Sequence, residues 1–553
     1  MQDRTSTSMR KLSSRALLGL LFVVAGAAAL GPSCAASDST ACVTGGGGTP
    51  GGGAAGSDAA VAGGGGSADA GHDAGPAEDP GPGGDFRFYA DRAAEALQRL
   101  YDPSTGLFPS TGWWNSANAL TAMIDYSART GSSAYVGDIA ITFSKNSSAN
   151  YLNNFYDDEG WWALAWIDAY DLTHHAAYLE MAKTIFADMK GGWGSACNGG
   201  IWWSKDNQYK NAIANELFLE VAVRLHQRTP GDSGSGSFLD WANREWSWFD
   251  QSGMINANSL VNDGLTNPGC QNNNGQTWTY NQGVLIGGLV DLAKVNGDPS
   301  LLERAQAIAD ASFAQLVDDQ GVLREPCEPG CGADGAQFKG IFMRHLAELA
   351  EATGTVRDGA FIASNADWAW NAAQDAEGDI GLSWSQAFDG ADGARQGSAL
   401  DLLNAAIPLT SPEPNAALFK TATANGICSP TQTAAEAFDG TVLTKWCAGS
   451  SNGSYFLQVD LGDMVPVGRV IVRHAGAGGE SAAWNTEDFQ VRVSTDQTTW
   501  TDAKTITGNT RSVTIHRVVP PVSARWVRLN ITAPQSDPAT VAARIDELEI
   551  YAR

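Results

Sequence analysis

Between Phe86 and about Ile407 the apolar residues recur at the three-to-four spacing of amphipathic helices, and alternating runs are hard to find. The clearest stretches are Arg92 to Leu100, Ala117 to Ile124, Trp161 to Leu172, Tyr178 to Met189, Ala212 to Leu225, Val284 to Ala293, Leu301 to Leu316, Phe342 to Leu349 and Ala360 to Ala373. Short polar breaks punctuate them: Arg129-Thr130-Gly131, Leu172-Thr173-His174, Val295-Asn296-Gly297-Asp298 and Ala352-Thr353-Gly354. Each break supplies a turn residue where one helix stops and another soon starts. The pattern is an array of αα-hairpins, roughly ten to twelve helices repeating loosely at about 50 residues. Such an array either runs on as an open solenoid or closes into a toroid. The long, aromatic-rich loops favour an all-α (α/α)6 toroid, because loops converging on one rim build a pocket.

From Asn415 onward the period changes to two. Tyr455 to Gly462, Arg469 to Arg473, Phe489 to Ser494 and Trp526 to Ile531 alternate, with Gly, Asp and Asn turns between them. This predicts an all-β antiparallel sandwich. Pro408, Pro412 and Pro414 prevent a regular helix from crossing the boundary. At the other end, Arg10, Lys11 and Arg15 precede an apolar run from Ala16 to Leu30, too short to span a bilayer comfortably but suited to a secretory leader. Cys34 closely follows, so a lipid anchor at that thiol and a plainly secreted chain both stay open. Gly31 departs from the aliphatic residue a lipoprotein signal prefers. From Thr44 to Asp85 there is almost nothing to bury, and this stretch predicts a flexible tether. The chain thus divides into a leader, 1–33; a Gly/Ala/Ser/Pro-rich linker, 34–85; a helical domain, 86–407; a Pro-containing linker, 408–414; and the β-sandwich, 415–553.

Charge narrows the function. A formal net charge of -26 argues against a nucleic-acid or polybasic membrane-surface protein, since phosphate recognition needs a cationic face. No second segment is long and apolar enough to cross a membrane. With 19 Trp, aromatic platforms for the apolar face of a sugar ring become a candidate use. The 7 His include no zinc-hydrolase pattern, and no nucleophile elbow is present. Export makes Cys327–Cys331 a disulfide rather than a metal clip, and domain membership alone pairs Cys197 with Cys270 and Cys428 with Cys447.

The most distinctive segment is Asn153-Asn154-Phe155-Tyr156-Asp157-Asp158-Glu159-Gly160-Trp161-Trp162-Ala163-Leu164-Ala165-Trp166, with three acids at the entrance of a helix among aromatics. Helix capping accounts for one or two carboxylates but not for the indoles. A calcium loop wants more widely spaced acids. A glycosidase pair, one carboxylate ionised and one protonated, uses all of it. Adjacent Cα atoms are about 3.8 Å apart, which leans towards the closer carboxyl spacing of retaining enzymes, about 5–5.5 Å. The charge of Asp157 is expected to raise the pKa of Asp158 and suit it to general-acid work.

These residues resemble the catalytic motif of glycoside hydrolase family 76, the endo-α-1,6-mannanases. The stretches Gly112 to Asn118, Gly200 to Ser204, Tyr209 to Glu216, Asp263-Gly264, Trp278 to Gly283 and Phe338 to Phe342 resemble the family in the same order. The resemblance implies Asp157 as nucleophile and Asp158 as acid/base, with Trp114, Asn118, Asn211, Tyr280, Asn281 and Gln282 binding substrate and no cofactor for catalysis. The β-domain resembles F5/8 type C (discoidin) modules of the galactose-binding-like jelly-roll fold, through Ala437 to Gly440, Thr444 to Trp446, Val459 to Gly462 and Arg544 to Glu547. That likeness implies a structural Ca2+ held by Asp439, Thr444 and Glu547, and a sugar site near His474, Glu480, Trp484 and Asn485. The expectation is a bacterial enzyme, secreted or a surface lipoprotein and acting as a monomer on α-mannan. Its module would hold it on the polymer by effective concentration. Transglycosylation, a non-catalytic glycan-binding role and a lyase are the rivals.

Overall fold

A computed structural model describes residues 85–407, 414–449, 455–535 and 542–552. The leader, Cys34 and the tether lie outside the described residues, as do residues 408–413 of the proline-containing segment. Twelve α-helices occupy the N-terminal part: α1 (Phe86–Gln98), α2 (Trp113–Thr130), α3 (Val136–Asn146), α4 (Tyr156–Thr173), α5 (Ala176–Met189), α6 (Ala212–Gln227), α7 (Phe238–Ser252), α8 (Thr279–Asn296), α9 (Pro299–Gln315), α10 (Phe338–Thr353), α11 (Val356–Ala372) and α12 (Gly393–Ala405). The predicted breaks hold the stops: Gly131, His174, Gly297 and Gly354 all cap helices in the left-handed region.

The even-numbered helices form an inner ring in which each packs on the next and α12 closes onto α2. The odd-numbered ones lie outside, α5 on α4, α7 on α6, α9 on α8, α11 on α10 and α1 on α12, with α3 beside α2. This is the toroid, not the open solenoid. Close approach sets part of the ring: a Cβ on Gly340 would sit 2.4 Å from the Ser398 backbone, so α10 and α12 touch through glycine. Three helices escape the periodicity reading. The inner helix α12 is buried on nearly every side, which erases the polar stripe that makes a helix legible. α3 is short and α7 carries its apolar residues among charges.

The C-terminal part is one antiparallel seven-stranded sheet: β1 (Thr421–Ala424), β2 (Trp446–Gly449), β3 (Tyr455–His474), β4 (Asp488–Ser494), β5 (Thr501–Ile506), β6 (Val513–Ala533) and β7 (Ala542–Tyr551), in the order β2-β7-β3-β6-β4-β5 with β1 on β3. Register shifts between Asp460 and Val465 and between Val467 and Arg469 let the long strands bend around a core that includes Trp446, Leu457, Phe489 and Leu529. Among the described residues three disulfides join Cys197 to Cys270, Cys327 to Cys331 and Cys428 to Cys447.

Toroid and sandwich belong to one compact unit. On β3, Val470 and Val472 face the sheet core, and by the period of two Arg469, Ile471 and Arg473 face the other way. That second face is normally wet in an antiparallel sheet, yet all three are 3% exposed or less. Ile471 packs with Val513 and Tyr551, and the two arginines meet the toroid. Arg469 pairs with Asp91 at 2.5 Å, and Asp91 also accepts the Tyr126 hydroxyl at 2.6 Å. Arg473 pairs with Glu549 at 2.7 Å and donates to Tyr135 of the toroid, while Ser132 donates to Glu549 at 2.9 Å. The C-terminal domain is thus docked on the toroid through buried charges.

Candidate active site

A cleft of about 430 Å³ opens where the N-terminal ends of the inner helices converge. Trp114 comes from the start of α2, Asp157, Asp158 and Trp161 from α4, Asn211 from the cap of α6, Tyr280 from α8 and Phe338 from α10. Loops add Phe155, Trp203, Tyr209, Asp263 and Asp334. Among the described residues, no lysine or arginine lines it. Tyr280 stacks on Phe338 at 3.8 Å, and Trp161 stacks on Trp114 at 5.7 Å and on Tyr280 at 6.4 Å, giving a continuous aromatic wall.

Helix α4 starts where it does because Phe155 is extended and bridges Ser204, while the Tyr156 N–H donates to the Trp203 carbonyl at 2.9 Å. None of the three acids that follow caps the helix. Asp157 Oδ2 accepts the Trp203 indole N–H at 2.9 Å, and its buried Oδ1 has no hydrogen-bond partner. Asp158 Oδ2 accepts the Asn153 side-chain amide at 2.5 Å. Glu159 turns away from the cleft, to Lys205 at 2.7 Å. Burial and then the neighbouring Asp158 charge push the Asp157 carboxyl up to about 8, against the pull of the Trp203 donor. Burial pushes Asp158 up to about 6, with Asn153 opposing and Asp334 adding to it. The expected order is therefore reversed: Asp157, not Asp158, binds its proton more tightly in the free protein. Like charge acts on both, but burial is deeper at Asp157. Between those values the pair shares one proton.

Of the predicted substrate residues, Trp114, Asn211 and Tyr280 line the cleft. Asn118, Asn281 and Gln282 do not. Asn118 accepts from Arg344 at 2.7 Å beneath the floor, Gln282 pins the Val261 backbone at 2.7 Å and 2.9 Å, and Asn281 is buried. A helix turns about 100° per residue, so once Tyr280 faces the cleft its two successors face packing. Phe155, Trp161, Trp203, Tyr209, Asp263 and Phe338 lay in or beside the quoted stretches without being singled out. Asp334, which accepts the Trp114 indole N–H at 2.9 Å, carried no signal beyond its nearness to the Cys327–Cys331 loop.

In the sandwich, His474 and Asn485 are internal rather than at a sugar site. His474 packs on Phe489 and faces Thr514 at 3.1 Å, with burial driving its pKa down to about 3. Asn485 holds the Gly476 N–H and the Thr510 carbonyl. Glu480 does line a pocket of about 340 Å³, with Gln432, Thr444, Lys445 and Asp546. Trp484 is not in that lining; Arg544 lies over its ring at 4.6 Å. Asp439, Thr444 and Glu547 gather at one loop: Asp439 accepts the Thr444 hydroxyl at 2.6 Å, and Glu547 accepts the Gly440 N–H at 3.2 Å. Burial and the Glu549 and Asp439 charges hold Glu547 well above the usual range, and these hard oxygen donors fit a divalent cation.

A ring of paired helices whose N-terminal rim carries adjacent carboxyls in an aromatic cleft defines a carbohydrate-active toroid. Residues 88–417 match the model of glycosyl hydrolase family 76, and the chain belongs to that family. Residues 420–546 match the F5/8 type C domain. Similar proteins include a putative mannan endo-1,6-alpha-mannosidase of Schizosaccharomyces pombe, 26% identical over 46% of this chain and 64% of that protein. Another is the mannan endo-1,6-alpha-mannosidase DCW1 of Candida albicans, 27% identical over 53% of this chain and 72% of that protein. The chain thus spans a little under two thirds of the first relative's length. Among solved structures, an inactive variant of the alpha-1,6-mannanase GH76A of Salegentibacter, bound to alpha-1,6-mannotriose and with two consecutive aspartates substituted, aligns with a TM-score of 0.54 at 25% identity over 58% of this chain and 99% of that one.

Proposed function

We propose that this protein is an exported, retaining glycoside hydrolase that cuts α-1,6-mannosidic bonds, with a carbohydrate-binding C-terminal domain. The observation that carries the reading is the Asp157–Asp158 pair, one-proton by its pKa values and set in an aromatic cleft free of cations. The consecutive aspartates substituted in the inactive Salegentibacter mannanase support it.

In this reading Asp157 attacks the anomeric carbon as a carboxylate, and Asp158 protonates the departing glycosidic oxygen. A glycosyl ester forms on Asp157; Asp158 then deprotonates the incoming water, and net retention follows. These roles require the shared proton to sit on Asp158 once sugar is bound. The Trp203 indole and the N-terminus of α4 are the groups that favour an anionic Asp157 at that point. The aromatic wall supports the apolar faces of the mannose rings. A sugar hydroxyl in place of water gives transglycosylation by the same route. In the sandwich, the pocket at Lys445, Glu480 and Asp546 is the proposed sugar site. Asp439, Thr444 and Glu547 would hold Ca2+, which would stiffen that loop. The leader and Cys34 carry the proposal of export, with or without a lipid anchor.

The test is incubation with linear α-1,6-mannooligosaccharides, following anomeric proton signals from the earliest times. Early α-product from internal cleavage is expected. Early β-product overturns retention, products longer than the substrate establish transfer, and binding without product overturns the enzyme reading.

A further inference from the structure

Three acids open α4, and the proposed chemistry uses two. The third, Glu159, is fully buried and outside the cleft lining. Its Oε1 accepts the Asn153 backbone N–H at 3.1 Å and the Lys205 ammonium at 2.7 Å. The same ammonium pairs with Asp188 of α5 at 2.9 Å and lies over the Tyr156 ring at 5.5 Å. Glu159 thereby holds the residue whose side chain holds Asp158, since Asn153 donates from its amide to Asp158 and accepts the Phe155 N–H at 2.7 Å. On the other side, the Lys205 N–H donates to the Asn154 carbonyl at 2.9 Å, two residues after the Trp203 that holds Asp157. Two short segments, 153–159 and 202–205, are thus clamped together, and each contributes the one side-chain donor that reaches each reacting carboxyl.

We propose that Lys205 is a positioning residue of the glycosidic reaction. Through Glu159 it sets Asn153 on Asp158, and through its own backbone it sets Trp203 on Asp157. The inference rests on the proposed hydrolysis but assigns a residue that touches neither sugar nor carboxyl pair. Geometry decides this over a purely structural role: a surface lysine bridging two helices would stabilise the fold without ending on both donors. A lone surface ion pair is worth little, whereas displacing a reacting group by about 1 Å costs on the order of 10²-fold in rate.

The experiment compares Lys205→Met and Lys205→Arg with the parent, using the full chain. For Lys205→Met, kcat on α-1,6-mannooligosaccharides is expected to fall about 10- to 100-fold, with KM nearly constant and the pH–rate limbs displaced. Lys205→Arg is expected to recover most of the rate, because it keeps a cation between Glu159 and Asp188. A folded Lys205→Met enzyme with unchanged kcat and pH profile overturns the proposal, as does a variant that loses only thermal stability. A crystal structure of Lys205→Met reads the clamp without activity. An Asn153 amide displaced from Asp158 supports the proposal, and an unmoved one overturns it. A parent enzyme that releases no product overturns the hydrolase reading instead, and the crystal structure still decides the clamp.

Discussion

The two ends of the inner helix ring bury the same kind of charge and treat it in opposite ways. At the N-terminal rim, Asp157 and Asp158 face a cleft without a cation, and burial pushes both upward. Towards the C-terminal ends, Arg224 in the last turn of α6 pairs with Glu348 at 2.6 Å, Glu220 at 2.8 Å, Asp291 at 3.0 Å and Asp168 at 3.3 Å. There Glu220 and Asp291 lie below the usual carboxylate range: burial is the largest single influence and raises both, but Arg224 outweighs it together with His345 at Glu220 and with Lys294 and Gln227 at Asp291. Asp168, at the longest of the four distances, rises to about 7, with burial the largest cause. Glu220, His345 and Glu348 converge within 4.8 Å, and the balancing charge there is Arg224 itself. One ring therefore holds both a cluster of acids gathered on a single arginine and, at the rim that opens to substrate, an acid pair with no cation beside it.

The largest effect comes from removing the reactive member. Asp157→Asn is expected to lower turnover at least about 10³-fold while leaving the fold intact, measured by product release from mannooligosaccharides. The parent's kcat/KM is expected to be bell-shaped, with limbs near 6 and 8 where the pair gains or loses its one shared proton. The same substitution has a stability signature. Below about pH 4 the Asp157 carboxyl is neutral in folded and unfolded chains and costs nothing. As pH rises towards 8 only the folded chain keeps the proton, so stability falls, and above 8 the buried charge exerts its full penalty. Urea unfolding should therefore find Asp157→Asn more stable than the parent at pH 8, with the difference gone near pH 4. An equal difference at both values would mean that Asp157 is not the strained group.

At the other end the expectation inverts. Arg224→Met removes the guanidinium shared by four carboxylates and should cost about 3–5 kcal/mol of folding stability, the scale for breaking a buried ion pair. Turnover by the fraction that remains folded should stay within about threefold of the parent, since Arg224 lies several turns below the cleft. A stability loss in both variants, or a rate loss in both, would erase the distinction between the two ends.

Nine of the twelve helices were legible because hairpins of half-buried helices write their period into the sequence, and the turn residues Gly131, Gly297 and Gly354 mark their stops. α12 was not, for the opposite reason: burial on all sides leaves no polar stripe. The carboxyl pair was legible as a candidate from the local order of residues, since acids among indoles at a helix entrance are hard to explain by capping, and its roles rested on the resemblance to family 76. Which neighbours reach the cleft was not legible. Tyr280 and Asn281 are adjacent in sequence but point about 100° apart, and nothing local fixes the phase. Asp334 reaches the cleft from a loop more than a hundred residues away in sequence, a tertiary fact with no local trace. The junction had a trace that went unread: Arg469 and Arg473 sit in an alternating strand where a solvent-facing arginine is the ordinary reading, and only the toroid opposite makes them buried.

The smallest expected effect is the most specific test of what separates the rim from the base. Trp203→Phe keeps a ring beside Phe155, now 5.0 Å away, but removes the indole N–H from Asp157. That N–H is the one side-chain donor favouring the Asp157 anion, so its loss should raise the pKa of Asp157 further and move the upper limb of the pH–rate profile upward. Loss of a hydrogen bond to a charged group, about 1.5–3 kcal/mol, corresponds to a fall in kcat of roughly ten- to a hundredfold, with KM changed less because the ring remains. Measured across pH, the fall should be steepest on the acid side, where the parent still ionises Asp157 in the sugar complex and the variant does not. A rise in KM at constant kcat would instead make Trp203 a sugar platform only, and the anion at Asp157 would then depend on the helix N-terminus alone.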